Sequence, residues 1–405
     1  MNLRIPEQII RNTEKIFHSS LRKQSTIVKP PSEVRQVLKL WDKAAEPVDP
    51  KTLDFPNLGF KHRAVPHWAL TILSKDLGDK WVGPEKMAWD EKVIDIHNTN
   101  PYGVHGFEGT KCYRDAKGNV NLFRPDENWK RFNSTLSFTG VNTPLPKDLF
   151  IDGLKMVARE NPDHVPPHKV GSGYMQIKFI DPTPFLGVDT SGDCLVSTMI
   201  TPAGHYFPNG LEPVHMVLSD NLRALQGTGS NKVAGNYAPT ILQKRNLLSR
   251  LNDQGIHDVR DLLYTSVETT NAPVLARNIT EFRAGNLIAV YIENGIPTLV
   301  SPESDEVLPG ITRNSLLELA MYKGWNVSRD KLTVQDLLEA DEVMATGTAV
   351  VTTPVGKLTY RDDNGKFKTA VFNNNEVGSI AKELYDSLID IQTGGPDPFG
   401  WRLPI

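Results

Sequence analysis

The stretch GTGSNKVAGNYAPT, residues 227–240, combines glycines and other small residues with one lysine, Lys232, and one tyrosine, Tyr237. A phosphate-binding P-loop requires Gly-Lys followed by Ser or Thr, but here no glycine precedes Lys232 and Val233 follows it. A dinucleotide-binding loop requires G-x-G-x-x-G, and Lys232 occupies the position of the third glycine. The residues therefore leave two interpretations: a flexible turn, or a loop whose lysine is itself reactive.

A reactive lysine would suit Schiff-base chemistry, because small neighbours leave room for a flat cofactor beside a partly desolvated amine. Pyridoxal phosphate (PLP) would also need a carboxylate opposite its ring nitrogen and a phosphate site. Glu281, in ITEFRAGNL, is a candidate carboxylate. In LPGITRNS, a glycine before a predicted helix places the N–H groups of Ile311 and Thr312 where they could bind an anion. Taken singly, each feature also has an ordinary explanation, a solvated strand-end charge or a connecting turn.

Composition excludes several classes of protein. The 405 residues carry a net charge of −3, with 39% hydrophobic and 23% charged residues. These values are ordinary for a soluble globular protein, and they predict no nucleic-acid or membrane partner. Two cysteines, Cys112 and Cys194, are too few for a disulfide framework or a cysteine-based zinc site, so no metal is expected. We expect a cytoplasmic protein; Glu7 and Glu14 disfavour an organellar presequence without excluding one.

Helical and strand-like segments alternate along the chain and predict an α/β (α+β mixed) fold in two unequal parts. We expect an N-terminal arm over 1–66, a small α/β domain over 67–201 and a large cofactor-binding domain over 214–405. Three prolines and two glycines in PAGHYFPNGLEP predict an interdomain linker over 202–213.

Two local signals predict individual elements. Asn294-Gly295, between the apolar runs of NLIAVYIENGIPTLVSP, predicts the turn of a β-hairpin. Thr333, with Asp336 three residues on, predicts a capped helix N-terminus.

Eight collinear segments, from about residue 92 to the C-terminus, resemble the branched-chain amino-acid aminotransferases, which are fold-type IV PLP enzymes. The segments are YGVHGFEGTKCYR, LFRPDENWKRF, GHYFPNGLEPV, GSNKVAGNYAPT, ITEFRAGNL, LPGITRNSLLELA, ADEVMATGTAVVTTPVG and DIQTGG…FGW. The resemblance implies two domains, PLP at their interface and a homodimer.

The resemblance also implies roles for individual residues. Lys232 would form the Schiff base with PLP and move the substrate's α-proton. Tyr237 would contact the cofactor's phenolic oxygen, and Glu281 would pair with the pyridinium nitrogen. The residues expected to hold the phosphate are Arg131, Ile311, Thr312 and Thr348. The residues expected to contact the substrate are Tyr102, Phe107, Tyr174, Gln176 and the backbone of Thr348 and Ala349.

One of these positions departs from the family pattern. The family usually has Tyr-x-Arg where this chain reads YMQ, so that Tyr174 is kept and Gln176 replaces the arginine. That arginine helps to hold the side-chain carboxylate of glutamate, and its loss should weaken recognition of a second carboxylate by about 1.5–3 kcal/mol. Lys178, on the same strand face, could compensate.

The predicted function is transamination by a ping-pong reaction between an amino acid, of aliphatic, branched-chain or bulky apolar type, and a 2-oxo acid. Two alternatives stay open. The same scaffold could act on a specialised metabolite, as a lyase or as an aminotransferase that does not use glutamate. It could also be a catalytically silent regulatory protein that binds PLP, although the joint presence of Lys232, Tyr237, Glu281 and Arg131 argues against this.

Overall fold

A computed structural model describes residues 46–94, 99–184, 186–204, 211–221 and 228–405. Most of the predicted N-terminal arm and the central part of the predicted linker, residues 205–210, lie outside these ranges. Residues 47–405 form one compact unit. The predicted domain boundaries stay a prediction.

Within the described residues the chain forms two β-sheets. The seven-stranded sheet has the order β16-β4-β3-β5-β6-β1-β2. Its strands are β1 (His67–Ser74), β2 (Lys80–Ala88), β3 (His105–Arg114), β4 (Val120–Phe123), β5 (Ser172–Ile180), β6 (Cys194–Ala203) and β16 (Arg402–Pro404). Every neighbouring pair in this sheet is antiparallel.

The second sheet has nine strands in the described residues, in the order β12-β11-β10-β13-β14-β7-β8-β9, and β15 pairs with β14. Its strands are β7 (Val214–Asp220), β8 (Val259–Thr265), β9 (Ile279–Phe282), β10 (Asn286–Glu293), β11 (Ile296–Val300), β12 (Asn326–Ser328), β13 (Glu342–Gly347), β14 (Val351–Arg361) and β15 (Phe367–Val371). Parallel pairs β14–β7, β7–β8 and β11–β12 make it a mixed sheet. The α/β class predicted from the sequence is thereby confirmed.

Six α-helices occur in the described part of the chain. They are α1 (Pro125–Phe138), α2 (Lys147–Arg159), α3 (Ala238–Asn252), α4 (Ile311–Tyr322), α5 (Val334–Leu338) and α6 (Ser379–Gln392). Among the described residues, no helix is both long and apolar enough to cross a bilayer.

Both local predictions are confirmed. Asn294 and Gly295 have φ angles of 53° and 79°, in the left-handed region that a two-residue hairpin turn requires, and they join β10 to β11. At the start of α5, the Asp336 N–H donates to Thr333 Oγ1 (3.1 Å) and the Thr333 N–H donates to Asp336 Oδ2 (2.9 Å). This reciprocal pair satisfies two N–H groups that a helix N-terminus would otherwise leave unpaired.

One apolar cluster contains side chains from both sheets. Tyr113 and Phe123, on β3 and β4, pack in the same cluster as Leu316 of α4 and Leu384 of α6. Burial of this apolar surface stabilises the contact by the hydrophobic effect. The cluster therefore holds β3 against the start of α4, and the candidate site lies beside this contact.

Candidate active site

A cavity of about 250 Å³ lies between the two sheets. Ten of the twelve residues expected to contact cofactor or substrate line it. They are Phe107, Arg131, Tyr174, Lys232, Tyr237, Glu281, Ile311, Thr312, Thr348 and Ala349. Phe60, Gly109, Arg283, Ala284, Gly285, Asn286, Leu308, Gly310, Thr346 and Gly347 complete the lining. The fold thus brings together residues that lie far apart in the sequence.

The Lys232 amine lies among aromatic rings inside this cavity. Its Nζ donates to the Tyr237 hydroxyl at 3.3 Å and lies 4.5 Å from the centre of the Phe107 ring. The rings of Phe107 and Tyr237 are themselves 5.1 Å apart, centre to centre. The amine is therefore partly desolvated and points at a hydroxyl, which is the setting that a nucleophilic lysine requires.

Backbone contacts hold the Lys232 loop against the seven-stranded sheet and α1. The Phe107 N–H donates to the Lys232 carbonyl (3.1 Å), and the Lys232 N–H donates to Thr135 Oγ1 (3.0 Å). Gly229 approaches the backbone of Glu306 so closely that a Cβ would lie 2.4 Å from its carbonyl oxygen. These contacts on both sides of the loop argue against a freely flexible turn at residues 229–232.

Glu281, in β9, lines the cavity on the side of the nine-stranded sheet. It is almost completely buried, with 2% of its surface exposed. Its Oε2 accepts from Asn286 Nδ2 (2.8 Å) and from the Leu308 N–H (3.3 Å). Asn286 in turn donates to the Leu308 carbonyl (2.7 Å), so both of its N–H hydrogens are used. These bonds orient one carboxylate oxygen.

The first turn of α4 forms another wall of the cavity. Gly310 is the N-cap, and within the described residues its helix has no side chain that caps the N-terminus. A Cβ at Gly310 would lie 1.7 Å from Asn286 Oδ1, so only glycine fits there. The N–H groups that begin at Ile311 and Thr312 carry the positive end of the helix dipole and can bind a phosphate.

Arg131, on α1, forms a buried ion pair with Glu108 on β3. Its Nε and Nη2 donate to the two carboxylate oxygens of Glu108 at 2.8 and 2.6 Å, and its Nη1 donates to the Pro309 carbonyl at 3.1 Å. Burial disfavours the charge, but Glu108 offsets this and keeps the pKa of Arg131 above its ordinary value. The guanidinium is thereby fixed next to the N-terminus of α4.

Tyr174 contributes a hydroxyl that stays protonated. Burial, with Glu108 nearby, raises the pKa of Tyr174 to about 12. Phe60, from the segment before β1, packs edge-on against its ring at 5.0 Å, centre to centre. The two rings separate the main cavity from a neighbouring one of about 160 Å³.

Two of the expected substrate residues do not line the main cavity. Gln176 lines the neighbouring cavity instead, with Phe60 and Tyr174 between the two. Tyr102 is 47% exposed, and its hydroxyl donates to the Leu186 carbonyl at 3.2 Å. Their roles stay predictions.

Sequence reasoning missed three residues that shape the site. They are Glu108, Asn286 and Phe60. Glu108 and Asn286 lie inside the motifs FEG and FRAGNL. Each is a polar residue among small and apolar neighbours of a strand, and this pattern could have identified them. Phe60 carries no such signal, because it precedes every motif.

The same fold occurs in solved branched-chain amino acid aminotransferases. The structure from Escherichia coli superposes with a TM-score of 0.64 at 23% identity, covering 82% of this chain and 98% of that one. The Thermobaculum terrenum enzyme, solved in its PLP form, superposes with a TM-score of 0.62 at 17% identity, covering 84% and 98%. Likeness at this level of identity shows the fold.

Sequence comparison shows the family. The model described as Amino-transferase class IV matches residues 106–358. The branched-chain-amino-acid aminotransferase of Haemophilus influenzae is 33% identical over 370 residues, which cover 88% of this chain and 99% of the relative. The chloroplastic branched-chain amino acid aminotransferase 2 of Humulus lupulus is 30% identical over 371 residues, which cover 90% and 85%. The chain therefore belongs to the class IV aminotransferases, as its resemblance to the branched-chain enzymes predicted.

Proposed function

We propose that the chain uses PLP to transfer the amino group between an amino acid with an aliphatic or bulky apolar side chain and a 2-oxo acid. The observation that carries this proposal is one cavity that contains the Lys232 amine, the buried Glu281 carboxylate and the uncapped N-terminus of α4. The names of the relatives, all branched-chain aminotransferases, support the substrate class.

The cavity residues fit PLP in their chemistry. Lys232 would hold the aldehyde carbon, Tyr237 the phenolic oxygen and Glu281 the ring nitrogen. The first N–H groups of α4, with Thr312 and Thr348, would hold the phosphate, and Arg131 would place a cation beside them. Gly310 and Gly285 allow the chain to pass close to its neighbours in the cavity wall, because a Cβ at either would collide with Asn286 or with the Thr346 carbonyl.

When bound, PLP supplies a carbonyl that takes up the amino group and a ring that accepts the electrons of the substrate's Cα–H bond. The protein must then hold and move the proton. Lys232 Nζ would be the base that removes the α-proton, and Tyr237 and Phe107 contact that amine and hold it in place. Asn286 and the Leu308 N–H keep the Glu281 carboxylate aimed into the cavity.

The substrate's side chain would lie against aromatic surface. Phe60, Phe107 and Tyr174 supply this surface. Gln176, at the position where the family usually has arginine, carries a neutral amide and lies behind Phe60 and Tyr174. Lys178, two residues further along β5, is exposed and does not line either cavity. An apolar amino donor is therefore favoured over glutamate.

We expect Gln176→Arg to raise kcat/KM for glutamate about 10- to 100-fold, because a charged hydrogen bond is worth about 1.5–3 kcal/mol. kcat/KM for leucine should change less than about threefold. The measurement is steady-state kinetics with both donors, and Gln176→Met is the matched control, since it has similar length without charge. An unchanged glutamate preference in Gln176→Arg would contradict a role for this position in donor choice.

A panel of single amino donors tests the proposed function. The PLP-loaded protein is mixed with leucine, isoleucine, valine, phenylalanine or glutamate, without a 2-oxo acid, and conversion of the cofactor to pyridoxamine 5′-phosphate is followed by absorbance. Conversion by the apolar donors supports transamination. Consumption of the donor without that conversion would favour a lyase, and a protein that cannot be loaded with PLP would contradict every PLP-dependent function.

We further propose a cytoplasmic homodimer. The dimer follows from the resemblance, and the acidic residues Glu7 and Glu14 support the location. The names of two relatives include chloroplastic and mitochondrial. A molar mass twice that of the chain, measured by light scattering, would support the dimer. Recovery of the protein with an intact N-terminus in the cytoplasmic fraction of the cell would support the location.

A further inference from the structure

Lys111, in the middle of β3, is a buried lysine that the proposed reaction does not use. Only 7% of its surface is exposed. Its Nζ donates to the Ala349 carbonyl at 3.0 Å, across 238 positions of sequence. Its register partner on β5 is Tyr174, which lines the active-site cavity. Lys111 therefore lies directly behind the wall formed by residues 347–349.

The wall that Lys111 supports is a strained turn. Residues 348–350 connect β13 to β14, and Gly347 pairs with Val351 at the base of the turn. Val351 has φ 64°, a left-handed conformation that is unfavourable for a β-branched residue. Such a backbone persists only where surrounding contacts hold it. Two contacts reach it from β3: the Lys111 bond to Ala349, and a bond from Thr348 Oγ1 to the Gly109 carbonyl (3.4 Å).

The charge of Lys111 has no carboxylate beside it among the described residues that line the adjoining small cavity. These residues come from β3, β4, α1, α4, the strained turn, β14 and α6. Tyr113 is the only titratable group among them besides Lys111, and burial raises its pKa, so that it stays neutral. Burial lowers the pKa of Lys111 to about 7. Ile311, Thr312 and Thr348, which would hold the phosphate of PLP, line the same small cavity, so that a bound phosphate would be an anion close to Lys111.

We propose that Lys111 is a positioning residue that holds the Thr348–Ala349 turn in the shape that receives the substrate's α-carboxylate. This rests on the proposed function, in which the backbone of that turn contacts the carboxylate. Fixing the Ala349 carbonyl fixes the peptide plane and hence the direction of the neighbouring N–H groups. The ammonium also places a positive charge behind the turn, and low local polarity strengthens its attraction to the carboxylate.

Proton linkage follows from this placement. Without PLP, the charged form of Lys111 predominates below a pH of about 7 and is lost as the pH rises through that value, and a phosphate bound at Thr312 and Thr348 would raise this pKa. A bound carboxylate stabilises the charged form and raises its pKa, so binding takes up a proton. Carboxylate affinity should therefore fall as the pH rises through the pKa that Lys111 has in the PLP-loaded enzyme, and this part of the pH dependence should vanish when Lys111 is replaced.

The experiment measures binding of 4-methylvalerate to the PLP-loaded enzyme by calorimetry, from about pH 6 to about pH 9. One of the solved branched-chain amino acid aminotransferases is complexed with this acid, which carries the carboxylate without an amino group to react. Its neutral counterpart, 4-methylvaleramide, is the ligand control. The variants are Lys111→Met and Lys111→Arg, with Lys117→Met, an exposed lysine in the turn after β3, as the matched control.

We expect Lys111→Met to raise the Kd of 4-methylvalerate about 10- to 100-fold at about pH 6.5. It should raise the KM for leucine more than it lowers kcat. It should weaken binding of the amide less than binding of the acid, and it should leave PLP content and thermal unfolding close to wild type. Lys111→Arg should restore most of the affinity and remove the pH dependence near neutrality, since arginine stays charged.

Two results would overturn the role of Lys111. One is that Lys111→Met binds 4-methylvalerate with the same Kd and the same pH profile as wild type and Lys117→Met. In that case the proposed function would still stand, because the wild-type enzyme binds the probe. The other is equal weakening of acid and amide, which would show a general packing defect. A wild-type enzyme that holds PLP but does not bind 4-methylvalerate would overturn both the role and the proposed function.

Discussion

Lys232→Ala should lower the rate of cofactor conversion by amino donors by roughly 10³-fold or more, because under the proposed function the variant loses both the covalent attachment point and the base for the α-proton. The surroundings of the amine should survive, since the Lys232 loop is held by its backbone bonds to Phe107 and Thr135. The measurement is the rate at which leucine converts bound PLP to pyridoxamine 5′-phosphate in a stopped-flow spectrometer.

Lys382→Ala is the control for this experiment, because that lysine is exposed on α6 and pairs with Asp386 on the same helix. It should keep wild-type rates. Added methylamine should restore part of the activity of Lys232→Ala, since a small free amine can enter the vacated space. A variant that retains more than about a tenth of the wild-type rate would show that another group removes the proton.

Glu108→Ala should lower the free energy of unfolding by about 3–5 kcal/mol, because it leaves the buried Arg131 guanidinium without its counter-charge. The pair has an exposed side-chain fraction of 7% for Arg131 and 0% for Glu108, and both carboxylate oxygens are used. Denaturant unfolding measures the change. Glu108→Gln, which keeps one acceptor and its volume, should lose less and should fold if Glu108→Ala does not.

The matched control is Asp126→Ala at the start of the same helix, α1. Asp126 pairs with Lys147, and about half of each side chain is exposed. Solvent screens this pair, so the loss should stay below about 1 kcal/mol. Equal losses for the buried and the exposed pair would contradict the importance assigned to burial. PLP content, measured on the folded Glu108→Gln, would show whether Arg131 must be held by Glu108 to support phosphate binding.

Much of the candidate site could be predicted from the sequence because its chemistry-bearing groups lie in short segments with strong local signals. The structure brings Lys232, Tyr237 and Glu281 into one cavity with the first turn of α4. The helix start at Ile311 follows from the preceding glycine, and the N–H groups that could bind an anion there follow from helix geometry. Tyr102 and Gln176 were matched by motif in the same way, but the structure places both outside that cavity.

The sequence by itself determined the class of fold, the hairpin at Asn294-Gly295 and the capped start of α5, and it singled out Lys232 as the candidate reactive lysine. Each depends on neighbours within a few residues, since turn conformation, helix capping and motif spacing are local properties. Only the tertiary structure decided that Glu108 neutralises Arg131 and that Lys111 supports the turn at Ala349. Those pairings join groups far apart in the chain, and their strength comes from desolvation, which exists only after the two sheets have closed on each other.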